Sequence, residues 1–579
     1  MPFTRFKRAN RQTTANNEIT NSETAIDYKQ TTDQKRIAII GSGVSGLTCA
    51  HYLGAQHEVT VFEADDYIGG HVNTIDVTLQ DGKKAKSGKT EGSAIDTGFI
   101  VFNERTYPNF FRLLHELQVP FQATDMSFSV KNTARKFEYN GHTLNTLLSQ
   151  RKNVLYPRFW RFLKDVLQFN KHIKQLRQDY DIARAEGQDV SGFTEQTLGD
   201  YLTQQKYGQL FTDNYLLPMV SAIWSTSLDE VQDFPLVFFA QFFDNHGLLD
   251  VVNRPQWFTI KGGSKQYVNR LIPRFIKAGG KVRVNSHVQS VVRDGKQVIL
   301  TVQDKDSAGN RVETLVFDEV VFACHADTAL KILADASTEE SEVLSHFRFT
   351  KNTAVLHTDT SVLPKKPLAW ASWNYLIDES DSGSVKGKEQ AAGNRQIPAK
   401  PVLTYHMNIL QRLTKKHNYL VTLNPAVDNK GVDDKQIVKS IDYSHPVFDL
   451  AMIDAQTKWA SISGNGLHTH FCGAYWFNGF HEDGVRSGLR VCQALGHDIA
   501  IKDEVDPAHL PDADSAHTPF RYKDLPIKAD TKSRQLNNRQ VTMAMTNQEL
   551  VEYAERLQNT AIDTNQKKKR SLFGRRHAK

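Results

Sequence analysis

The sequence predicts an α/β fold in which a parallel β-sheet is interleaved with a mixed α+β domain. Residues 36–62 follow the order strand, glycine-rich turn, helix, strand, which is typical of a parallel sheet. Further strand patterns, in which β-branched and polar residues alternate, occur much later, at residues 280–303 and 311–324, with Asp294-Gly295 as a hairpin turn. With 579 residues, the chain is too long for a single core.

Composition excludes several classes of protein. The 40% hydrophobic and 23% charged residues are typical of a soluble globular chain. The 71 basic and 65 acidic residues leave a net charge of only +6, which argues against a nucleic-acid-binding protein. The four cysteines are too few and too widely spaced for a disulfide framework or a zinc site, so no metal is predicted. No apolar run has the roughly 18 to 20 residues of a membrane span, and no secretory signal is present, so the sequence predicts a cytoplasmic protein.

The first ordered unit begins after a polar stretch, residues 1–34, which we interpret as a disordered tail. Arg36–Ile40 is predicted to be a buried strand, Leu47–Leu53 to begin a helix, and Glu58–Phe62 to be a second strand. The turn between the first strand and the helix reads Gly41-Ser42-Gly43-Val44-Ser45-Gly46.

This turn carries the strongest functional signal. Gly41 permits a tight turn, Gly43 lets the backbone approach a pyrophosphate, and Gly46 lets the helix pack closely on the strand. The N-terminus of the helix offers its N–H groups and its dipole to the phosphates. Glu63 ends the second strand, where a carboxylate accepts hydrogen bonds from an adenosine ribose and would repel the 2′-phosphate of NADP. We therefore predict a Rossmann-like dinucleotide-binding domain.

Other segments are predicted from periodicity and composition. Apolar residues at helical spacing predict an amphipathic helix over residues 155–177, and its polar positions are strongly basic. Residues 234–243 are apolar all round and predict a buried segment. Residues 380–400 predict a surface loop, and Thr546 with Glu549 predicts a capping box for a late helix. The chain ends in a basic tail.

Further motifs follow Glu63. Residues 67–74 contain Gly69-Gly70-His71, and Asp96-Thr-Gly98-Phe99 comes later. This pattern resembles the double-glycine signature of the flavin amine oxidase, protoporphyrinogen oxidase and phytoene desaturase superfamily. The resemblance implies FAD, with the glycine backbone against its ribityl and pyrophosphate portion. Tyr67 and His71 stand where the family usually has arginines.

Later elements are similar to the same family in order. The glycine turn at residues 261–264 is followed by Val288, which matches the valine that contacts adenine through its backbone. Gly473 matches the glycine of the closing strand, and Asp483-Gly484 matches the start of a helix whose N-terminus faces the flavin. The resemblance covers residues 36 to about 497 and implies the following division: residues 1–34 as tail; 35–100, 255–330 and 460–500 as a discontinuous FAD domain; 101–254 and 331–459 as substrate domain; 501–579 as a C-terminal extension with a basic tail.

The resemblance also gives expectations about the active site. The flavin-proximal lysine of the amine oxidases maps to Thr353, with Lys351 two residues earlier, and a solvated strand end is the favoured interpretation of Lys351. Phe480 maps to the aromatic cage, and His481 is either a proton donor or acceptor or a structural residue. Cys472 lies beside Gly473, away from the thioether position of some amine oxidases, so FAD is predicted to be non-covalent.

Motifs such as 222–225 and 370–375 resemble a bacterial subgroup whose relatives occur fused to, or encoded beside, cyclopropane fatty acid synthases. This implies an FAD-dependent oxidoreductase that transfers hydride between FAD and a hydrophobic, lipid-related substrate. It also implies a functional link to such a synthase. Two alternatives stay open: an oxidase of small amines, and a non-catalytic or isomerase-type protein that binds a lipid or partner protein.

Two further groups of residues, one of histidines and one of basic side chains, suggest candidate sites. His468, His470 and His481 suggest a metal cluster by type, but a structural or cofactor-facing role is favoured because no carboxylate partner is visible. The basic residues of 151–177 and the tail at 567–576 form either a solvated face or a peripheral contact with the inner face of an anionic membrane. No nucleic acid is expected.

Overall fold

The computed structural model describes residues 34–78, 92–250, 254–306, 309–377, 402–413, 417–425, 431–464 and 466–502. The predicted N-terminal tail up to residue 33, the loop at 380–400, the capping box at Thr546 and the basic tail lie outside these residues.

The described residues contain strands between residues 36 and 471. In chain order they are β1 (Arg36–Ile40), β2 (Glu58–Phe62), β3 (Thr74–Val77), β4 (Ser93–Asp96), β5 (Phe102–Asn103), β6 (Phe121–Thr124), β7 (Phe128–Asn132), β8 (Phe137–Asn140), β9 (Trp257–Ile260), β10 (Lys281–Arg283), β11 (Ser286–Asp294), β12 (Gln297–Asp306), β13 (Gly309–Phe317), β14 (Glu319–Phe322), β15 (Arg348–His357), β16 (Trp373–Ile377), β17 (Val402–His406), β18 (Leu420–Leu423), β19 (Ile437–Val447) and β20 (Thr469–Phe471).

Helices separate many of these strands. They are α1 (Val44–Leu53), α2 (Pro108–Glu116), α3 (Leu144–Leu147), α4 (Pro157–Ala185), α5 (Ser191–Thr194), α6 (Leu198–Gln205), α7 (Gln209–Phe211), α8 (Leu217–Trp224), α9 (Leu236–Asn245), α10 (Lys265–Lys277), α11 (Ala326–Ile332), α12 (Thr338–Ser345), α13 (Met407–Leu410), α14 (Leu450–Thr457), α15 (Trp459–Ile462) and α16 (His481–Ala494).

A five-stranded parallel sheet positions the functional site. Its strand order is β10-β2-β1-β14-β20, and Ile39 of β1 pairs with Val61 of β2 on one side and with Val321 of β14 on the other. The strands are short and, apart from the edge strand β10, almost wholly buried, as expected for a parallel sheet covered on both faces. Because the strands are parallel, their carboxyl ends share one edge, which is where ligands bind in open α/β sheets. The predicted α/β fold class is confirmed.

A second, seven-stranded sheet has the order β19-β15-β18-β17-β16-β7-β8 and is antiparallel except between β16 and β7. Helices α4 and α9 pack against each other in the same half of the molecule, where Phe169 lies 5.9 Å from Phe239 between ring centroids. The predicted hairpin at Asp294-Gly295 joins β11 to β12, and residues 234–243 are largely buried as predicted, mostly in α9.

The predicted basic helix is confirmed, with different ends. Arg151–Leu155 forms a 3-10 turn, and α4 begins at Pro157 and continues to Ala185. The break has a local cause: proline disfavours a helical conformation at the residue before it and is favoured at the first helical position. Tyr156 accordingly has extended angles, φ −104° and ψ 121°.

Candidate cofactor and active site

The three glycines of the turn between β1 and α1 have different surroundings: two pack tightly against the protein backbone and one borders open space. A Cβ on Gly41, whose φ is +106°, would lie 2.8 Å from the carbonyl oxygen of Ala323, and one on Gly46 would lie 2.1 Å from that of Gly41. A Cβ on Gly43 would meet no atom within 4 Å. Gly41 and Gly46 are therefore required by the fold itself, whereas Gly43 borders a space of the kind that the predicted pyrophosphate needs.

Helix α1 begins directly at this space. Gly43 is its N-cap and provides no side-chain cap for the first-turn N–H groups. Such a helix end attracts anions through its N–H groups and its dipole. The geometry at Gly43 therefore fits a dinucleotide phosphate.

Glu63, at the carboxyl end of β2, is held by a network centred on Ser42. Its Oε2 accepts hydrogen bonds from the Ser42 backbone N (2.9 Å) and Oγ (2.5 Å), and its Oε1 accepts one from Asp65 N (3.1 Å). Ser42 Oγ also accepts a hydrogen bond from Gly69 N at 3.1 Å. Burial raises the pKa of Glu63, although hydrogen bonds from Ser42 oppose the shift. The carboxylate keeps lone pairs for a ribose hydroxyl.

The double glycine lies against the glycine turn. A Cβ on Gly70 would lie 3.3 Å from Gly43 Cα, and Gly69 has a φ of +130° that disfavours other residues. Tyr67 donates its hydroxyl hydrogen bond to the Gly70 carbonyl at 3.0 Å, so it braces the turn rather than pairing with a phosphate. The two glycine motifs thus line one cleft, although they are separated by more than twenty residues of chain.

Val288 lies on β11 beside the end of β2. Ser286 N donates to the Glu63 carbonyl at 2.8 Å, and Val288 pairs with Val302 of β12 just before a shift in register. This places the Val288 backbone next to the carboxylate predicted to hold the adenosine ribose. Its contact with adenine stays a prediction.

The closing motif brings α16 against α1. A Cβ on Gly484 would lie 2.4 Å from Val44 Cγ1 and 3.1 Å from Ser45 Oγ, so the first turns of the two helices touch. Asp483 Oδ2 caps α16 by accepting from Phe480 N at 2.8 Å. Upstream, Gly473 N donates to Ser487 Oγ at 3.0 Å, which ties the end of β20 to the same helix. Two helix N-termini therefore converge at the cleft, which favours bound anionic groups.

The two tentative catalytic residues point in different directions. Phe480 is half-buried and joins an aromatic wall with Trp224 (6.3 Å), Phe242 (4.9 Å) and His246 (5.8 Å). His481 is buried: its Nε2 lies 2.9 Å from the Tyr267 hydroxyl, and its ring stacks on Phe99 at 3.7 Å. Burial lowers the pKa of His481 to about 3, which favours its structural interpretation.

A histidine cluster, formed by His71, His325 and His445, lies beside the double glycine and was not predicted from the sequence. His71 stacks on Tyr443 at 4.7 Å and lies 5.4 Å from His445, while His325 stacks on Phe349 at 4.2 Å. All three imidazoles are half-buried.

Burial lowers the pKa of each of these histidines, to about 4 for His445 and well below the usual value for His71. Repulsion from His445 and His325 lowers the pKa of His71 further, and repulsion from His325 lowers that of His445. Asn352 Nδ2 donates to His445 Nδ1 at 2.9 Å, and Asn352 Oδ1 accepts from Asn424, so neutral His445 carries its proton on Nε2. No signal in the sequence marked this cluster, because its members come from three distant segments.

Thr353, at the position predicted for a flavin-proximal lysine, is hydrogen-bonded to two neighbouring side chains. Thr353 donates its hydroxyl to Asp442 Oδ1 at 2.8 Å, and its N donates to Asn424 Oδ1 at 3.0 Å. Lys351 is exposed on β15, in accord with its favoured interpretation.

The three histidines considered for a metal do not share one set of contacts. His468 and His470 both lie 3.3 Å from the buried carboxylate of Glu319, whereas His481 packs beside Tyr267. Lys35 Nζ is 2.7 Å from the same carboxylate. Burial raises the pKa of Glu319, but hydrogen bonds from His470 and Lys35 outweigh it and hold the pKa at about 2. This cluster begins β14, at the sheet edge opposite the cleft.

Cys49 of α1 is in contact with Cys472, although their spacing in the sequence gave no reason to expect that the two cysteines lie together. Their sulfur atoms are 4.0 Å apart, and both side chains are fully buried. Burial raises the pKa of Cys472 well above its usual value. Because both thiols are enclosed in the core, the pair does not contradict the prediction of non-covalent FAD.

Comparisons with known proteins agree with this geometry. The model of the family described as "Flavin containing amine oxidoreductase" matches residues 44–391, more than half of the chain. An L-amino-acid oxidase from Vipera ammodytes ammodytes is 23% identical over 311 residues, which cover 50% of this chain and 54% of the relative. One from Bungarus fasciatus is 47% identical over 47 residues, 8% of this chain and 9% of the relative. The chain thus spans about half of the length of the first relative and about a tenth of the length of the second.

Solved structures share the fold at low identity. The CLA-producing fatty acid isomerase from P. acnes superposes with a TM-score of 0.51 at 13% identity, covering 79% of this chain and 98% of the other. Cyclohexylamine oxidase from Brevibacterium oxydans IH-35A gives a TM-score of 0.52 at 15% identity, covering 80% and 99%. The family match, the shared fold and the cleft at the glycine turn lead to one conclusion: the chain belongs to the flavin-containing amine oxidoreductase family.

Proposed function

We propose that the protein is an oxidoreductase with non-covalently bound FAD and a hydrophobic, lipid-related substrate. The observation that carries the proposal is the cleft in which the open space at Gly43, the carboxylate of Glu63 and the N-terminus of α16 converge. FAD, when bound, supplies the hydride acceptor that amino-acid side chains lack. The backbone of Gly43 and Gly70 would hold its phosphates and ribityl chain, and Glu63 with Val288 its adenosine.

The histidine cluster supports a role in moving protons. A substrate that gives up a hydride also loses a proton from a neighbouring atom, and a neutral imidazole accepts it best. His71 is neutral at physiological pH because burial and the nearby His445 lower its pKa. Since His445 carries its proton on Nε2, we assign proton acceptance to His71 and hydrogen-bond donation to His445.

The aromatic wall supports an apolar substrate. Phe480, Trp224 and Phe242 present rings with no hydroxyl group, and Thr353 stands where the resemblance placed a lysine. An acyl chain gains free energy by burial against such rings. One structural neighbour is titled a fatty acid isomerase, which is compatible with a lipid substrate and also with an isomerase reaction.

A second candidate is an oxidase of small amines. It is favoured by the family match and by relatives named L-amino-acid oxidase and cyclohexylamine oxidase. The third possibility, a non-catalytic carrier, is disfavoured because the space at Gly43 is retained.

Location is part of the proposal. Among the described residues, no helix combines the length and the apolar character that crossing a membrane requires. We propose a cytoplasmic protein in peripheral contact with the inner membrane, from which the substrate would come. We also propose a functional link to a cyclopropane fatty acid synthase.

The test is anaerobic reduction of the purified protein. We expect flavin absorbance in the visible range, and we expect it to bleach with acylated substrates such as phospholipids or fatty acids. Bleaching by cyclohexylamine or L-amino acids alone would favour the second candidate. Double-bond migration in a fatty acid without net bleaching would indicate an isomerase, and absence of flavin, even after FAD is added, refutes the proposal. Gly43→Val serves as the flavin-free control.

A further inference from the structure

We infer that residues 144–171 form a docking surface for an anionic lipid bilayer, here called the lipid-facing surface. The inference deepens the peripheral contact proposed above and assigns it to particular side chains. The surface consists of exposed apolar and exposed basic residues: Leu144, Val154, Leu155, Tyr156, Trp160 and Leu167, with Arg151, Lys152, Arg158, Arg161, Lys164 and Lys171.

The apolar half of this surface is unusual for a protein exterior. Leu144 and Leu155 are 78% and 77% exposed, and Trp160 and Leu167 are 57% and 58% exposed. Of the eleven large apolar side chains that are exposed among the described residues, six fall within residues 144–167. Single exposed apolar residues are common, but a cluster marks an interaction site.

The apolar and basic side chains share one face. Trp160, Lys164, Leu167 and Lys171 are spaced by four, three and four residues along α4, so they lie in one stripe of the helix. On such a stripe the apolar side chains can be buried at the headgroup boundary while the long lysine side chains extend their charged ends to the phosphates.

The segment before α4 is fastened to the same face. Trp160 Nε1 donates to the Val154 carbonyl at 2.9 Å, which holds the 3-10 turn against the first turn of the helix. Arg151 donates to the carbonyls of Asn145 (3.1 Å) and Leu148 (2.9 Å), which holds the preceding loop. Because loop, turn and helix are already linked, little conformational entropy is lost on docking.

The charge of the surface selects the partner. Between residues 144 and 171 the sequence contains one acidic residue, Asp165, and its side chain is buried. Asp165 Oδ2 accepts from Gly208 N at 3.0 Å and lies 3.8 Å from Arg161 Nε. The six exposed basic residues therefore face outward with no exposed acid among them, which matches anionic headgroups.

A second copy of the chain fits this surface poorly. A two-fold dimer would place the same patch against itself and bring the six cations of each copy together. An anionic bilayer neutralises those cations and buries Leu144, Leu155 and Leu167 at the same time.

The surface also lies close to the proposed substrate wall. On the opposite side of α4, Phe169 contacts Phe239 of α9 at 5.9 Å, and α9 also carries Phe242, which stacks on Phe480 at 4.9 Å. Helix α4 thus carries the lipid-facing surface on one side and packs on the other against α9, which contributes Phe242 to the aromatic wall.

The experiment is sedimentation of the full chain with vesicles of phosphatidylcholine alone or mixed with phosphatidylglycerol. We expect binding only to the mixed vesicles, weakened by salt. A charge variant, Lys164→Glu with Lys171→Glu, should lower the vesicle-bound to free ratio at least tenfold. An apolar variant, Leu144→Ser with Leu155→Ser and Leu167→Ser, should abolish the binding that survives high salt.

The matched control lies on the same helix beyond the surface: Ile182→Ser with Arg184→Glu, both exposed, should bind like the wild type. Equal binding of the charge variant and the wild type overturns the inference, as does wild-type indifference to all vesicles. A change of oligomeric state in the apolar variant would instead identify a protein interface. Flavin absorbance is read on the same samples and is independent of vesicle binding. Vesicle binding without flavin refutes the proposed oxidoreductase chemistry but not this inference. Flavin without vesicle binding refutes this inference and the membrane contact proposed above, and leaves the oxidoreductase chemistry standing.

Discussion

Substituting Gly43 by valine should weaken flavin binding without unfolding the protein. The backbone at Gly43 has φ −64° and ψ 176°, which any L-residue adopts without strain. A Cβ there meets no protein atom within 4 Å, so the side chain would begin in the space assigned to the pyrophosphate.

The size of the effect follows from that geometry. In the protein without flavin, loss of glycine restricts the unfolded chain, so the free energy of unfolding should stay equal or rise by about 0.4 to 1 kcal/mol. In the protein with flavin, the valine must push the ligand out of place, and overpacking of this kind costs about 1 to 3 kcal/mol. The dissociation constant of FAD should therefore rise by roughly 5- to 150-fold, since about 1.4 kcal/mol is tenfold.

Gly46→Ala is the matched comparison within the same turn. Its Cβ would lie 2.1 Å from the Gly41 carbonyl oxygen, so this change should destabilise the fold itself. The assay is FAD titration followed by visible absorbance, together with urea unfolding of the flavin-free proteins, because bound flavin would itself raise stability. If Gly43→Val keeps wild-type FAD affinity, the cleft is not the cofactor site. If it unfolds as Gly46→Ala does, the space at Gly43 is too small for the added side chain and the reasoning fails at that step.

Three further predictions concern neighbouring elements. Gly484→Ala should lower the free energy of unfolding by about 1 to 3 kcal/mol, because its Cβ would lie 2.4 Å from Val44 Cγ1. Urea unfolding measures this change. The control is Gly192→Ala, because a Cβ at Gly192 meets no atom within 4 Å. Glu319 has its pKa lowered to about 2, so its ion pairs should stabilise the fold above pH about 4.5 and lose up to about 3 kcal/mol as the pH falls to 2. Glu319→Gln should remove that part of the pH dependence of thermal unfolding, and an unchanged acid limb would contradict the assignment. Glu63→Gln should weaken FAD binding about tenfold through loss of a charged acceptor for the ribose, and titration calorimetry that finds equal affinity would disprove that role.

Local signals accounted for the first segment of the cofactor domain, whereas its later segments, with Val288, Gly473 and Gly484, came from the family resemblance. The strand, glycine turn, helix and second strand at residues 36–62 were predictable because each is determined by neighbouring residues: apolar runs for the strands and Gly41 to Gly46 for the turn. The position of Glu63 followed from the length of that unit. The prediction of this unit required only about thirty consecutive residues of sequence.

The substrate side was less accessible to sequence reasoning. His71, His325 and His445 come together only because β15 and β19 of the larger sheet fold over the double glycine. Helical periodicity placed Phe162 and Phe169 on the buried face of α4. It gave no reason to expect that Trp160 and Leu167, on the other face, would stay exposed.

The contact between α1 and α16 has a consequence for how the protein is made. Cys49 Sγ lies 3.4 Å from the Gly488 carbonyl, a contact between residues 439 positions apart in the chain. A ribosome adding about 5 to 20 residues per second needs roughly 20 to 90 seconds to synthesise that interval. For the first part of this time β1 lacks its neighbour β14, and for almost all of it the cleft lacks α16, so the nascent chain has a glycine turn but no complete cofactor site. Contacts this distant also slow folding after release. Flavin loading is therefore a late event, and a chain interrupted before residue 481 should be a clear target for quality control even though its first 450 residues are intact.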